Sequence, residues 1–326
     1  MDTDEDEDEI PPVARPDQAE LGFDLARALA SVVTVRAEVP EDAYTAPILG
    51  TERQGNGVVI DPKGLVLTIG YLITEAERVW ILNGQGGAAP GHVLAYDQAT
   101  GFGLVQALGP LGAPAIRLGR SQPIEVGHAV IVAGGRGVRD ALSARVVARH
   151  PFAGYWEYYL DAALFTAPAH PRWGGAACLG ADGRLVGIGS LLVQEVVRGN
   201  QNVVGNMIVP IDLLPPILDD LTRYGRTKGP PRPWLGLYAT DAPEGVAVTG
   251  LAPGGPAAGA GLAEGDTLAE LNGRPIEDLG DLWRRLWAAG PAGTTVTLAL
   301  VRNGRRQKLR CRTADRQGFL KQPSLH

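Results

Sequence analysis

The sequence has few cysteines, few aromatic residues and no long apolar segment. Only two cysteines occur in 326 residues, and aromatic residues make up 6%. Cys178 and Cys311 lie far apart, so they do not predict a disulfide framework; each is expected to be a small buried apolar residue. No run of roughly 18 apolar residues occurs, which argues against a membrane span in this chain.

Basic residues are missing from the N-terminus. The first ten residues carry seven of the acids, and the net charge is −6, so the remaining chain is close to neutral. A neutral body does not predict nucleic-acid binding, and we interpret residues 1–19 as an acidic disordered tail. An acidic start is also unlike a secretory signal, so the protein is either cytoplasmic or has lost a signal or anchor.

Metal-ligand spacing is absent as well. The five histidines do not form a pattern such as two ligands three residues apart, so the sequence predicts no metal and no cofactor. The 44 glycines and 25 prolines are spread without a period, which favours a turn-rich β protein. Residues 55–60 and 65–68 are predicted to form a hairpin around the turn 61–64, and short strands continue to about residue 209.

A change in composition marks a second domain. Residues 213–224 have a helical apolar stripe, and the Pro-rich segment 227–233 is typical of a linker. Residues 234–314 then combine strand-like runs with a short amphipathic helix at 281–289, and the tail 315–326 is expected to be frayed. The first domain is assigned to residues 20–226.

The stretch from His170 to Ala177, followed by a strand near 185–188, resembles the nucleophile loop of trypsin-like proteases of the HtrA (Deg) family. The order of landmarks resembles this family from about residue 25 to 313. The resemblance implies a mainly β protein, with a trypsin-like double β-barrel followed by a PDZ-like α+β domain. It also implies a homo-oligomer, a trimer formed through residues 20–50, and a periplasmic or cell-envelope location.

The positions that match the family's catalytic residues carry other side chains. Tyr71 stands at the base, Gly101 at the orienting acid and Trp173 at the nucleophile. Indole has no attacking oxygen or sulfur, neutral tyrosine is a poor base, and glycine cannot orient a partner. Pro171, two residues before Trp173, has no N–H to donate to an oxyanion.

These substitutions predict that the chain is not an enzyme but a pseudoprotease, with Tyr71 and Trp173 in contact inside the former active site. The predicted role is that of a scaffold, chaperone or regulator in protein quality control. An active serine endopeptidase with an unrecognised nucleophile and a purely structural oligomer remain alternatives.

The PDZ resemblance predicts a site for a polypeptide or protein C-terminus. Backbone amides would bind the terminal carboxylate, and the peptide would add as a strand between residues 237–240 and the helix at 281–289. The alternative is a groove that is self-occupied or merely structural. The predicted binding residues are Trp234, Leu235, Gly236 and Leu237 in the carboxylate loop and Leu282, Arg285 and Leu286 on the helix.

Overall fold

The computed structural model describes residues 9–198 and 201–321. These residues fall into two compact units. One contains the residues described up to His150, together with Ala162–Thr227 and Lys321. The other contains Lys228–Leu320 and, from earlier in the chain, Pro151–Asp161. The domain boundaries predicted from sequence place residues 151–161 in the first domain and remain a prediction.

The first unit begins with a closed six-stranded barrel, in the order β1-β2-β3-β6-β5-β4. The hairpin predicted at 61–64 joins β2 to β3, and Gly64 adopts the positive φ of +82° that the turn requires. The strands are β1 (Val32–Glu38), β2 (Glu52–Asp61), β3 (Leu65–Ile69), β4 (Arg78–Leu82), β5 (Ala88–Tyr96) and β6 (Phe102–Ala107).

A second closed barrel follows, in the order β10-β11-β12-β9-β8-β7. Its apolar core includes Cys178, whose burial raises the thiol pKa to about 12. Two closed barrels confirm the predicted mainly β, trypsin-like architecture. The strands are β7 (Ala129–Ala133), β8 (Ala141–Gly154), β9 (Tyr158–Ala167), β10 (Ala177–Leu179), β11 (Leu185–Arg198) and β12 (Gln201–Pro210).

Three α-helices accompany the barrels. The helix α1 (Leu25–Leu29) begins after Asp24, whose side chain accepts a hydrogen bond from the Arg27 amide. After α2 (Ala46–Leu49), α3 (Pro215–Tyr224) matches the predicted helix and ends at Gly225, which is left-handed at φ +70°. None of the helices that the structure describes is long and apolar enough to cross a membrane.

The second unit is a small α+β domain built on a sheet of order β13-β14-β15-β17-β18, with β16 paired to β15. Its core contains Trp283, Leu298 and Cys311, all buried. A hairpin turns at Asn303 and Gly304, both with positive φ. The elements are β13 (Leu237–Ala242), β14 (Gly245–Leu251), α4 (Pro256–Gly259), β15 (Thr267–Leu271), β16 (Arg274–Pro275), α5 (Leu279–Ala288), β17 (Thr295–Arg302) and β18 (Arg305–Arg312).

Both chain ends hold more structure than the sequence suggests. Residues 1–8 of the predicted acidic tail lie outside the described residues, but Pro12–Ala14 and Gln18–Glu20 form 3₁₀ turns. Near the C-terminus, the Phe319 ring lies 4.8 Å from that of Trp234, in a segment predicted to be frayed. Residues 322–326 of that tail also lie outside the described range.

Candidate functional site

The topology of the barrels brings the three predicted catalytic positions to element ends. Tyr71 lies in a 3₁₀ turn directly after β3, Gly101 immediately precedes β6, and Trp173 lies in the loop before β10. The Gly70 amide donates to the Gly101 carbonyl at 2.7 Å, so Gly101 lies beside the turn that carries Tyr71. Gly101 has a φ of +83° and no side chain to present there.

The loop before β10 is shaped by its glycines. Gly175 adopts φ +75°, and a Cβ at this position would lie 1.8 Å from the Asn56 carbonyl oxygen. Its amide donates to the Gly189 carbonyl at 2.8 Å, and the Ala176 amide donates to the Trp173 carbonyl at 3.0 Å. These bonds use main-chain atoms, so the loop shape does not require a particular side chain at residue 173.

Asn56, a buried residue of β2, fixes the same loop from the first barrel. Its side-chain Nδ2 donates to the Arg172 carbonyl at 2.8 Å and to the Gly174 carbonyl at 3.1 Å. Its Oδ1 accepts from the Gly135 amide at 2.9 Å. One amide group therefore satisfies three main-chain groups contributed by two different loops.

Tyr71 and Trp173 line the same cleft, and the Trp173 side chain acts on the pKa of Tyr71 against the effect of burial. The Tyr71 hydroxyl donates to the Ser190 carbonyl at 2.8 Å. Burial raises the pKa of Tyr71 well above its usual range, so this side chain stays neutral near pH 7 and cannot act as the base.

A cluster of charged residues that sequence reasoning did not identify lies beside this loop. The fully buried His170 has Nε2 3.0 Å from the Asp140 carbonyl oxygen, and its Nδ1 accepts from the Arg172 amide at 3.1 Å. The Arg172 guanidinium hydrogen-bonds to Asp140 Oδ1 through Nε at 3.1 Å and through Nη2. Burial lowers the pKa of His170, and both ring nitrogens are engaged, so His170 offers no free base to the cleft.

Asp140 and Arg172, with Tyr71 and Trp173, line a cleft of about 310 Å³. Its lining contains Thr34 but no serine or cysteine. Pro171 lies on its wall at the position where an oxyanion donor is expected, and it has no N–H. The structure thus brings all the predicted cleft residues except Gly101 to one cavity and adds Thr34, Asn56 and Asp140 to it.

The predicted carboxylate loop holds a carboxylate. The amides of Leu235, Gly236 and Leu237 donate to Oε1 of Glu157 at 3.1, 2.6 and 3.1 Å. The Leu235 amide also lies 3.1 Å from Oε2. Trp234 does not share this role, because its amide donates to the Ala314 carbonyl at 3.0 Å.

Glu157 is 2% exposed and has a left-handed backbone at φ +59°. Burial raises the pKa of its carboxyl to about 7, while the three amides and the charge of Arg316 act in the opposite direction. No local pattern marks this glutamate as functional, because its partners lie almost eighty residues further along the chain.

The helix α5 contributes to the same groove differently from the prediction. Leu282 and Leu286 are fully buried in the domain core, and Arg285 pairs with Asp281 at 2.7 Å. Trp283, not singled out in the sequence, donates its indole N–H to the Gly154 carbonyl at 3.0 Å. On the opposite side, the Ala239 amide of β13 donates to the Tyr155 carbonyl at 2.9 Å.

The sequence matches two known families. Residues 55–188 match the trypsin-like peptidase domain and residues 233–313 match the PDZ domain. Fold and site thus define a trypsin-like peptidase domain followed by a PDZ domain. In fold and in the order of these two domains the chain is similar to HtrA-type proteases.

Relatives and solved structures support this assignment. The periplasmic pH-dependent serine endoprotease DegQ of Escherichia coli K12 is 27% identical, covering 86% of this chain and 67% of DegQ. A probable periplasmic DegP-like serine endoprotease of Pseudomonas putida W619 is 26% identical, covering 78% of this chain and 54% of the relative. The chain thus spans about half to two thirds of these relatives. The HtrA-type protease AlgW with decapeptide shares the fold, with TM-score 0.53 and 19% identity, covering 93% of this chain and 100% of AlgW.

One prediction is corrected by these comparisons. The catalytic positions predicted that the chain is not an enzyme, but the relatives are named serine endoproteases. Their names point to a protease, and the prediction of a non-enzyme is therefore wrong. The reasoning failed because it extended the chemistry of three side chains to the activity of the whole protein.

Proposed function

We propose that this HtrA-like protease recognises polypeptide C-termini through the PDZ domain. The observation that carries the proposal is the bonding of one carboxylate by the amides of Leu235, Gly236 and Leu237. A peptide's terminal carboxylate is the same chemical group as the Glu157 side chain. Hydrogen bonds from successive amides to an ionised group are among the stronger ones in proteins.

The edge of β13 supplies the second element of recognition. The Ala239 amide already bonds to a carbonyl from outside the sheet, so this edge accepts an added strand. Main-chain bonds give affinity with little dependence on sequence, and the side chains of the added strand would supply selectivity.

The test is a comparison of matched peptides by calorimetry. Each peptide is prepared with a free C-terminus and with an amidated one, and both are titrated into the full chain. We expect binding of the free form only, because an amide lacks the charge and one acceptor oxygen. Equal binding of the two forms would refute recognition of the carboxylate.

We also propose that hydrolysis by this protein, which the names of its relatives indicate, does not depend on Tyr71, Gly101 or Trp173. The support is chemical: none of these side chains is a nucleophile or a base near neutral pH, and Pro171 cannot donate to an oxyanion. Casein cleavage should therefore survive Trp173→Ala. Loss of cleavage in a folded Trp173→Ala variant would overturn the proposal.

A fluorophosphonate probe locates the reacting group directly. We expect any labelled residue, identified by mass spectrometry of the full chain, to lie outside positions 71, 101 and 173. The role proposed for the protein is polypeptide handling in protein quality control of the periplasm or cell envelope, as a homo-oligomer. A mass measured by light scattering tests the trimer that the family resemblance implies.

A further inference from the structure

The PDZ groove contains part of the protein's own chain. Residues Pro151–Asp161, which include the turn between β8 and β9, belong to the same compact unit as the PDZ domain. Within that unit they lie between the β13 edge and α5. This is the place where a bound peptide strand was expected.

Main-chain contacts hold the segment on both sides. The Tyr155 carbonyl accepts from the Ala239 amide of β13 at 2.9 Å. The Gly154 carbonyl accepts from the Trp283 indole of α5 at 3.0 Å. One side of the segment is therefore hydrogen-bonded to the edge of β13, and the other side is hydrogen-bonded to the helix.

Side chains strengthen the attachment. The Tyr155 ring lies 5.9 Å from that of Tyr238, and the Arg284 guanidinium lies 5.6 Å from the Tyr159 ring centroid. Tyr159 also packs against the core of the PDZ domain. These are contacts of the kind that a peptide's own side chains would make.

The Glu157 side chain takes the place expected for the terminal carboxylate of a bound peptide. Its carboxylate is bound by all three amides of the loop and is 2% exposed. To place it there the chain adopts a left-handed backbone at a residue other than glycine. This conformation is intrinsically unfavourable, so it is maintained by the contacts that the carboxylate gains.

We propose that residues 151–161 are an internal ligand of the PDZ groove, and that a polypeptide with a free C-terminal carboxylate must displace Glu157 in order to bind. The inference rests on the proposed function, because it concerns the regulation of the same site. A closed groove reduces the apparent affinity for a peptide by the fraction of molecules in which the groove is open. The polypeptide concentration needed for binding would thus be set by how strongly the protein's own 151–161 hairpin occupies the groove.

The experiment measures the dissociation constant of one free-C-terminus peptide for three full-length proteins. Removing the internal carboxylate by Glu157→Ala should tighten binding by about tenfold or more, because the competitor is lost. The matched control is Glu244→Ala, which removes an exposed glutamate of the same domain and should leave the affinity unchanged. Glu157→Gln keeps the side-chain shape but replaces one acceptor oxygen with an N–H₂ donor, and we expect an intermediate result.

A second readout follows the segment itself. Hydrogen exchange of the wild-type protein should accelerate within residues 151–161 when the peptide is added, while the Ala239 amide stays protected by the incoming strand. If the wild type and Glu157→Ala bind equally well and exchange in the segment is unchanged, the internal-ligand inference is overturned and the proposed function stands. If folded Glu157→Ala and wild type both fail to bind any free C-terminus, the proposed function itself fails.

Discussion

The barrel cleft and the PDZ groove depend on different parts of the chain. Catalysis in the cleft of a trypsin-like fold requires particular side chains, and the positions predicted from sequence to supply them hold Tyr71, Gly101 and Trp173. The groove binds the Glu157 carboxylate through the amides of residues 235–237, a group that every residue except proline provides. A site built from main-chain donors keeps its chemistry through sequence change, whereas a site built from side chains does not.

Both regions nevertheless depend on a left-handed glycine. Gly175 shapes the loop of the cleft and Gly236 shapes the loop of the groove, each at φ +75°. The surroundings differ, because a Cβ on Gly175 would collide with main-chain atoms while one on Gly236 would meet the Trp234 ring at 3.0 Å. The backbone of the cleft is thus the more tightly constrained of the two.

The largest loss of stability is expected from a substitution at Gly175, where the cleft backbone is most tightly constrained. Gly175→Ala places a methyl group 1.8 Å from the Asn56 carbonyl oxygen in a left-handed conformation. We expect the free energy of unfolding to fall by about 4 kcal/mol, measured by denaturant unfolding, or folding to fail.

The matched control is the neighbouring Gly174→Ala. Its backbone is not left-handed, and the added methyl group would closely approach only the Tyr71 hydroxyl, at 2.8 Å. The expected loss is about 1 kcal/mol. Equal effects of the two substitutions would show that the loop is not held by its backbone.

The second prediction concerns the charged cluster beside the cleft. Asp140 is 1% exposed and pairs with Arg172, so Asp140→Ala leaves a cation without its partner. We expect a loss of about 3 kcal/mol in unfolding free energy. Asp182→Ala removes an exposed pair with Arg184 and should change stability by less than about 0.5 kcal/mol. A loss below about 1 kcal/mol for Asp140→Ala would mean that the Asp140–Arg172 pair contributes little to stability at the cleft.

A third prediction concerns how pH changes the binding of the internal ligand, residues 151–161, to the PDZ groove. The pKa of Glu157 is raised from 4.5 to about 7 in the bound segment. The segment therefore takes up a proton on docking: docking is strongest below about pH 4.5 and weakens as the pH rises through about 7. Peptide affinity should increase roughly 30-fold between about pH 5.5 and pH 8.

Two titratable side chains near Glu157, Tyr238 and Cys311, stay neutral in this range because burial raises their pKa values, that of Cys311 to about 11. In Glu157→Ala the pH dependence should largely disappear. Calorimetry at several pH values distinguishes the two proteins, and the same increase in the variant would assign the effect to another group.

The smallest effect is expected at Tyr71. Tyr71→Phe removes the hydroxyl that donates to the Ser190 carbonyl. The expected loss is about 1 kcal/mol in unfolding free energy, the net value of a typical buried hydrogen bond. Tyr155→Phe, at a half-exposed ring, should change stability by less than about 0.5 kcal/mol. An unchanged unfolding free energy for Tyr71→Phe would show that the packing of the Tyr71 ring, and not its hydroxyl, matters at this place in the cleft.

Much of the fold follows from short-range sequence signals. The hairpin turns at 61–64 and 303–304, the helix α3 with Gly225 at its end, and the two-domain arrangement all have local causes. The length of β8 and β9 was not predicted, because their periodicity gives no sign that they extend to the turn at Glu157. The start of α1 also has a local cause, because the Asp24 side chain caps the helix at the Arg27 amide.

The sites were predicted only in part, for a related reason. The amides of residues 235–237 were identified because the loop has a recognisable pattern. Their partner Glu157 was missed, since a contact across almost eighty residues leaves no trace in one sequence. The His170–Asp140 pair was missed for the same reason, although each residue alone is a common candidate for chemistry.

Asn56 makes the loop before β10 independent of the residue that the loop displays. The Asn56 carboxamide, on a separate strand, binds the carbonyls of residues 172 and 174. The loop backbone can therefore keep its shape whichever side chain residue 173 carries. Saturation mutagenesis of residue 173 would compare twenty side chains on the same loop backbone. Any reactivity gained or lost in such a library would then be attributable to the displayed group and not to a rearranged main chain.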